Sequence, residues 1–217
     1  MSERCLLYYI TDRRQFASDQ ASQRKALLAK IAEAARTGVD YIQLREKDLT
    51  TRELEKLAHD AVALVRENSA STRLLINSRT DVALASGADG VHLPAEDISP
   101  REVKSIWQMS DAKITKRSYT PILAVSCHSP EDISRAAIGG ADFAVLAPIF
   151  EKRGAPDVGA AGLDALRNLG EIGIPVLALG GITLENAPAC LDAGAEGVAG
   201  IRLFQENKIE DVVRKLR

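Results

Sequence analysis

The chain has 217 residues, 46% hydrophobic and 27% charged, with 15 glycines, 8 prolines and a formal net charge of -2. That balance excludes a disordered, collagen-like or fibrous chain and leaves enough length to bury a core without staples. No basic excess points to nucleic acid, and no acidic tail points to a solvating segment.

No apolar run approaches the roughly 20 residues that a membrane-spanning helix needs. The amino terminus, Met1-Ser2-Glu3-Arg4, leads straight into a strand-like segment and lacks the layout of a signal peptide. Cys5, Cys127 and Cys190 are odd in number and far apart, which fits a reducing compartment and no disulfide framework. The expected location is cytoplasmic.

In chain order, apolar β-rich runs fall at 6–12, 41–45, 74–77, 90–93, 122–126, 143–149, 175–179 and 197–203. Helical patterns lie between them at 22–36, 51–67, 99–108, 130–138, 163–169 and 184–191. Ser99 before Pro100, and Ser129 before Pro130, are helix start signals. The polar stretch 109–120 reads as a loop, and 151–161, rich in Gly, Ala and charge, as a candidate lid. Near-continuous apolar strands alternating with helices predict a parallel sheet covered on both faces.

An internal repeat fixes the number of units. Gly38-Val39-Asp40, Gly87-Ala88-Asp89, Gly140-Ala141-Asp142 and Gly194-Ala195-Glu196 recur at intervals of 49, 53 and 54 residues. Each offers a glycine suited to a left-handed helix end and then enters a strand. Two βα units per interval, roughly 26 residues each, give eight units and a single (β/α)₈ TIM barrel over residues 1–217. A doubly wound sheet is the alternative, but no Gly-x-Gly-x-x-Gly follows the first strand.

A barrel places its chemistry at the C-terminal ends of its strands. Those ends carry Arg45 and Lys47, Asn77, His92 and Asp97, Ser126 and His128, Gly180-Gly181, and Gly200-Ile201-Arg202. Glycines after the last two strands let backbone amides approach a phosphate, although a tight turn alone also calls for glycine. Arg202 is either a charge-assisted phosphate contact or a rim residue. Arg45 and Lys47 alternate along an extended segment, so both can face a polyanion. His128 is a candidate acid/base, since imidazole titrates near neutral pH. His92 is either ligand-facing or packed, His59 reads as surface, and Cys127 is expected to face the helices.

These residues resemble a known family in order and spacing. Tyr8-Tyr9-Ile10-Thr11-Asp12, Gln43-Leu44-Arg45-Glu46-Lys47, Asn77-Ser78-Arg79-Thr80-Asp81 and Gly87-Ala88-Asp89-Gly90-Val91-His92-Leu93 are similar to segments of the thiamine-phosphate synthase/TenI family. So are Ser126-Cys127-His128-Ser129, Ala147-Pro148-Ile149-Phe150 and Gly180-Gly181-Ile182-Thr183. The resemblance implies a barrel that binds a thiazole phosphate in thiamine biosynthesis.

Two chemistries occur in that family, and the departures bear on which applies. Synthases join the thiazole to an aminopyrimidine diphosphate with Mg²⁺; TenI-type tautomerases move a proton on a thiazole carboxylate phosphate and need no metal. Synthases resemble this chain with Asn-Asp-Arg where it has Asn77-Ser78-Arg79, and with a Thr-x-Thr-Lys loop where it has Glu151-Lys152-Arg153-Gly154. They also carry a Ser where Arg202 stands. Asp97 keeps the place of the second metal carboxylate, and Leu93-Pro94 and Phe150-Glu151 look closer to the TenI branch.

The resemblance therefore implies a tautomerase with His128 as acid/base and no cofactor. Arg45, Lys47, Asn77, Ser126, Gly180, Gly181, Gly200, Ile201 and Arg202 would bind the substrate. The alternative is a synthase using Mg²⁺ on Asp97, and an alternative of another class is a ligand-binding regulatory module. The expected partner is a small-molecule thiazole phosphate, with no nucleic acid and no membrane; self-association stays open.

Overall fold

The computed structural model describes residues 4–16, 19–114, 120–150, 162–170 and 172–217, without the side chains of 111–114. Eight strands, β1 (Leu6–Ile10), β2 (Tyr41–Leu44), β3 (Arg73–Asn77), β4 (Gly90–Leu93), β5 (Ile122–Cys127), β6 (Phe143–Leu146), β7 (Val176–Ala178) and β8 (Gly197–Gly200), pair in parallel. They close in sequence order, with β8 returning to β1. The helices are α1 (Gln20–Thr37), α2 (Thr51–Asn68), α3 (Thr80–Ser86), α4 (Pro100–Ile114), α5 (Pro130–Ile138), α6 (Gly162–Arg167), α7 (Ala187–Asp192), α8 (Arg202–Gln205) and α9 (Ile209–Leu216).

Period-two alternation sorts the strand residues into two cores. Tyr8, Ile10, Leu75, Ala124, Phe143, Val145, Leu177 and Ala199 fill the barrel interior. Their neighbours, such as Leu7, Ile42, Leu74, Val91 and Cys127, join the larger layer between sheet and helices. Cys127 thus faces the helices, as its alternation predicts. Helix α2 shows the outer layer's logic. A capping box between Thr50 and Glu53 starts it, and Leu54, Leu57, Ala58, Ala61, Val62 and Val65 are buried at helical spacing.

The repeat has a physical meaning at the N-terminal rim. Gly38, Gly87, Gly140 and Gly194 all have positive φ, from 70° to 103°, the backbone that glycine adopts without a Cβ penalty. The following aspartate then turns back to the preceding odd-numbered strand. Asp40 Oδ2 accepts the Leu7 amide, Asp89 Oδ2 the Leu74 amide and Asp142 Oδ2 the Leu123 amide, each at 2.8 Å. Each aspartate also donates its own amide to that same leucine's carbonyl. In the fourth repeat Glu196 keeps the backbone bond, to the Val176 carbonyl, but its longer side chain makes no matching hydrogen bond among the described residues.

Several boundaries differ from the sequence reading. The strand predicted over 143–149 stops at Leu146 because Pro148 has no amide to continue the ladder. The strand predicted over 197–203 stops at Gly200, and Arg202 opens α8. Helix α4 runs on to Ile114 through residues expected to be loop. The helix expected over 184–191 begins at Ala187, and α3 and α9 were not anticipated.

Candidate active site

The residues selected from the sequence as binding or catalytic stand at or just after the C-terminal ends of the strands, with His92 and Ser126 a layer below the rim. Strand parity explains much of this: Gln43 and Arg45 continue the inward face of Tyr41, Asn77 that of Leu75, and Ser126 and His128 that of Ala124.

His128 follows β5 and is exposed. Its Nδ1 lies 2.7 Å from the Ala147 carbonyl oxygen. A carbonyl only accepts, so Nδ1 carries a proton, and in the neutral ring Nε2 is the acceptor left for another partner. The His128 amide donates to Asp132 Oδ2 at 2.9 Å, and this bond leads the interactions that hold the Asp132 carboxyl below the usual carboxylate range. Ser126 and Ser129, which flank His128 in sequence, do not orient its ring. Ser129 caps α5. Ser126 Oγ lies 2.7 Å from His92 Nε2, whose Nδ1 is 3.0 Å from the Tyr8 hydroxyl.

His92 is therefore a packed interior residue. Burial, reinforced by the Arg45 charge, holds its pKa down to about 3, so the imidazole is neutral at physiological pH. Tyr8, His92 and Ser126 brace β1, β4 and β5 beneath the rim.

Arg45 is half-buried and its amide donates to Thr11 Oγ1 at 2.9 Å. Lys47 is exposed, but it does not share a strand face with Arg45. The strand ends at Leu44, and Lys47 and Asp48 form a turn in which the Leu49 amide reaches the Glu46 carbonyl at 3.4 Å. Between them Glu46 is turned away and buried. It accepts from Thr11 Oγ1 at 2.7 Å, from Arg13 Nη1 at 3.0 Å and from the Arg13 amide at 3.1 Å. Arg13 also grips Asp48 through both terminal nitrogens, at 2.7 and 2.8 Å. Burial pushes the Glu46 carboxyl up against these donors, whereas Arg13 holds Asp48 low. Sequence reasoning missed this cluster, since its members lie more than 30 residues apart and look like ordinary loop charges.

Asn77 ends β3 beside His92 of β4. Ser78 follows with φ of 60°, an uncommon conformation outside glycine, and its amide donates to the His92 carbonyl at 2.9 Å. Asp97 is exposed in the turn after β4, with Oδ1 accepting the Ile98 amide at 2.8 Å. It shares a cavity of about 170 Å³ with Ser126, Asp132 and Arg135. Among the described residues no three His, Cys, Asp or Glu side chains converge on a metal position. One exposed carboxylate, Asp97, and a neutral hydroxyl, Ser78, are too few oxygen donors to hold a resident Mg²⁺ by themselves.

Gly180 has φ of +101°, and a Cβ there would lie 2.8 Å from Pro148 Cα. Close packing of these two loops explains this glycine without any ligand. Gly181 also has positive φ, and its carbonyl accepts from Asn186 Nδ2 at 3.0 Å. Gly200 ends β8, Ile201 caps the short α8, and exposed Arg202 is its first residue. The candidate lid, 151–161, lies outside the described residues.

One contrast runs through the rim. Arg13, Arg79 and Arg135 are paired with carboxylates. The side chains of Arg45, Lys47, Asn77 and Arg202 make no hydrogen bond or ion pair with other described residues. Of the residues selected from the sequence, three cations and an amide thus have no partner among the described residues.

Comparison with known proteins agrees with the fold. Residues 7–204 match the family model described as thiamine monophosphate synthase. The chain is 41% identical over 201 residues to a provisionally named thiamine-phosphate synthase 2 of Aquifex aeolicus, covering 92% of this chain and 97% of that one. It is 36% identical over 216 residues to the thiamine-phosphate synthase of Syntrophomonas wolfei, covering 97% and 94%. Among solved structures, a thiamine phosphate pyrophosphorylase from Pyrococcus furiosus superposes with a TM-score of 0.78 at 30% identity, over 100% of this chain and 95% of that one. No helix among the described residues is long and apolar enough to cross a membrane.

Proposed function

Because the chain belongs to the thiamine-phosphate synthase family, an enzyme family of thiamine biosynthesis, we propose that this barrel joins a thiazole phosphate to an aminopyrimidine diphosphate. The observation that carries the reading is the set of rim cations, Arg45, Lys47 and Arg202, left without carboxylate partners among the described residues. An anion of several charges satisfies them. The expectation of a tautomerase draws no support from the names of the relatives.

In this reading the thiazole phosphate lies against the loops after β7 and β8, where backbone amides around Gly181, Gly200 and Ile201 and the Arg202 guanidinium meet it. The thiazole nitrogen forms a bond to the pyrimidine methylene carbon as the carbon–oxygen bond to diphosphate breaks, and the electron pair leaves with the diphosphate. Arg45 and Lys47 stabilise the charge gathering on that leaving group. Asp97 would be the protein's carboxylate toward Mg²⁺, an ion that would supply further neutralisation of the diphosphate. Asn77 and Ser126 orient the pyrimidine ring. The fixed protonated Nδ1 of His128 aims an accepting Nε2 at the substrate. The unit that acts is the single barrel, residues 1–217.

Incubating the protein with both precursors and Mg²⁺ tests this directly. The expected product is thiamine phosphate with release of one diphosphate; no product from active precursors would overturn the proposal. A second reading, thiazole tautomerisation, is favoured by two observations: Ser78 supplies no carboxylate, and His128 has the geometry of a proton carrier. Metal-independent isomerisation of thiazole carboxylate phosphate, without coupling, would establish that reading instead. Tight binding with neither reaction would leave a ligand-binding module.

A further inference from the structure

Arg45 and Lys47 lie on either side of a residue that neither carries substrate nor faces solvent. The Glu46 side chain is 1% exposed and that of Arg13 6%, whereas Asp48 at the outer end of the cluster is 40% exposed. Isolated charges are rarely buried so deeply, because desolvation costs more than a single contact returns unless every oxygen is satisfied. Here they are satisfied: Glu46 takes the Thr11 hydroxyl and the Arg13 amide and guanidinium, and Arg13 passes on to Asp48 in a fork.

The cluster is also joined to the cation beside it. Thr11 Oγ1 donates its proton to Glu46 and accepts the Arg45 amide on its lone pair. Residues 46 and 48 are thereby tied to β1 and the turn after it, and 45 and 47 are left projecting from a backbone that cannot rotate. A chain carrying only the two cations would hold them on a loose turn.

We propose that Glu46 and Arg13 are positioning residues: through Thr11 and Asp48 they set the backbone of the 45–48 turn and so align Arg45 and Lys47 on a diphosphate. The proposal rests on the reading of Arg45 and Lys47 as an anion grip. Their alignment, more than their charge, then determines affinity for a two-phosphate ligand, and a monophosphate at the β7 and β8 loops is indifferent to it.

Calorimetric titration of the full chain with inorganic diphosphate, and separately with inorganic phosphate, tests this. Arg45→Ala is expected to weaken diphosphate binding about tenfold or more, as for loss of a charge-assisted contact. Glu46→Gln, which preserves shape and removes the charge, should weaken it to a similar degree and leave phosphate binding unchanged. The double variant Glu46→Gln/Arg45→Ala should lose less diphosphate affinity than the two single losses combined, because the part of the Glu46 effect that acts through Arg45 is already gone and only the alignment of Lys47 is left to lose. If Glu46→Gln does not fold, Asp48→Asn at the exposed end should show a smaller loss of the same kind. An unaltered diphosphate affinity in Arg45→Ala removes the grip on which the proposal rests. Loss in Arg45→Ala with none in Glu46→Gln or Asp48→Asn overturns the positioning role while the grip stands. Equal loss of diphosphate and phosphate binding in Glu46→Gln overturns it in favour of general unfolding.

Discussion

The two rims of this barrel are built from similar residues put to opposite use. At the N-terminal rim most of the charged groups of the repeat are consumed internally. Asp40, Asp89 and Asp142 hold strand amides, Arg217 donates to the Gly38 and Cys5 carbonyls and to Asp40, and Arg66 donates to the Gly87 carbonyl. At the C-terminal rim Arg45, Lys47, Asn77 and Arg202 have no partner among the described residues, and Glu46 and Arg13, which are consumed, sit beside the first two as support. Charge spent on itself makes a scaffold. Charge left unspent beside a supporting layer marks the face where ligands are expected.

The sharpest test of this difference replaces His128. If its Nε2 accepts and returns a proton in the reaction, His128→Asn lowers turnover in whichever of the two assays the parent protein is active by about 10²–10⁴, the usual worth of a positioned acid/base. Thermal unfolding should be nearly unchanged, since the ring is exposed. A fall in melting temperature with turnover intact would place His128 with the scaffold.

Asp89→Ala should show the reverse pattern. It leaves the buried Leu74 amide without its carboxylate and is expected to cost about 1–3 kcal/mol of stability by denaturant titration. Activity per folded molecule should not change. A loss of activity without loss of stability would erase the distinction between the rims.

The interior brace gives a pH-dependent version of the same test. Because the folded-state pKa of His92 is depressed to about 3 while an unfolded histidine titrates near 6.5, the unfolded chain binds the proton first. His92 therefore contributes fully above about pH 6.5, and that contribution declines as the pH falls toward 3, by at most about 1.4 kcal/mol per pH unit. His92→Asn should flatten the stability profile between pH 6.5 and 4 measured by urea unfolding. A profile as steep as that of the parent would assign the acid sensitivity to other groups.

The smallest expected effect is a gain. Glu196→Asp supplies the fourth repeat with the shorter carboxylate used by the other three, and should add about 0.5–1.5 kcal/mol if it takes the Val176 amide. No change in the unfolding midpoint would show that the hook depends on its quarter of the barrel.

Much of the scaffold was legible in the sequence because its signals are local. A glycine at a left-handed helix end, an apolar run and a spacing of about 50 residues sufficed for the eight strands. What the aspartates of the repeat do was not legible, since the amide each one holds belongs to a strand 15 to 33 residues earlier. On the opposite rim, the helix-facing side of Cys127, and with it the opposite side for Ser126, followed from alternation along β5. The turn at Lys47 did not, because parity stops where the strand stops. Glu46 and Arg13 were invisible for a different reason: only the meeting of β1 with β2 reveals that two loop charges are buried. Gly180 has a reason that the sequence did not reveal, since Pro148, far away in sequence, leaves no room for a Cβ there whether or not a ligand binds.

The aspartate hooks also bear on how the strands avoid mispairing. Parallel strands this short and apolar carry little information about alignment, and a slip of one residue would exchange the two faces of the pleat. At each hook a slipped strand would turn an aspartate away from the amide it holds and leave that amide stranded beside apolar side chains. Three such keys, each within one βαβ unit, penalise misalignment locally, before the eighth strand has to find the first.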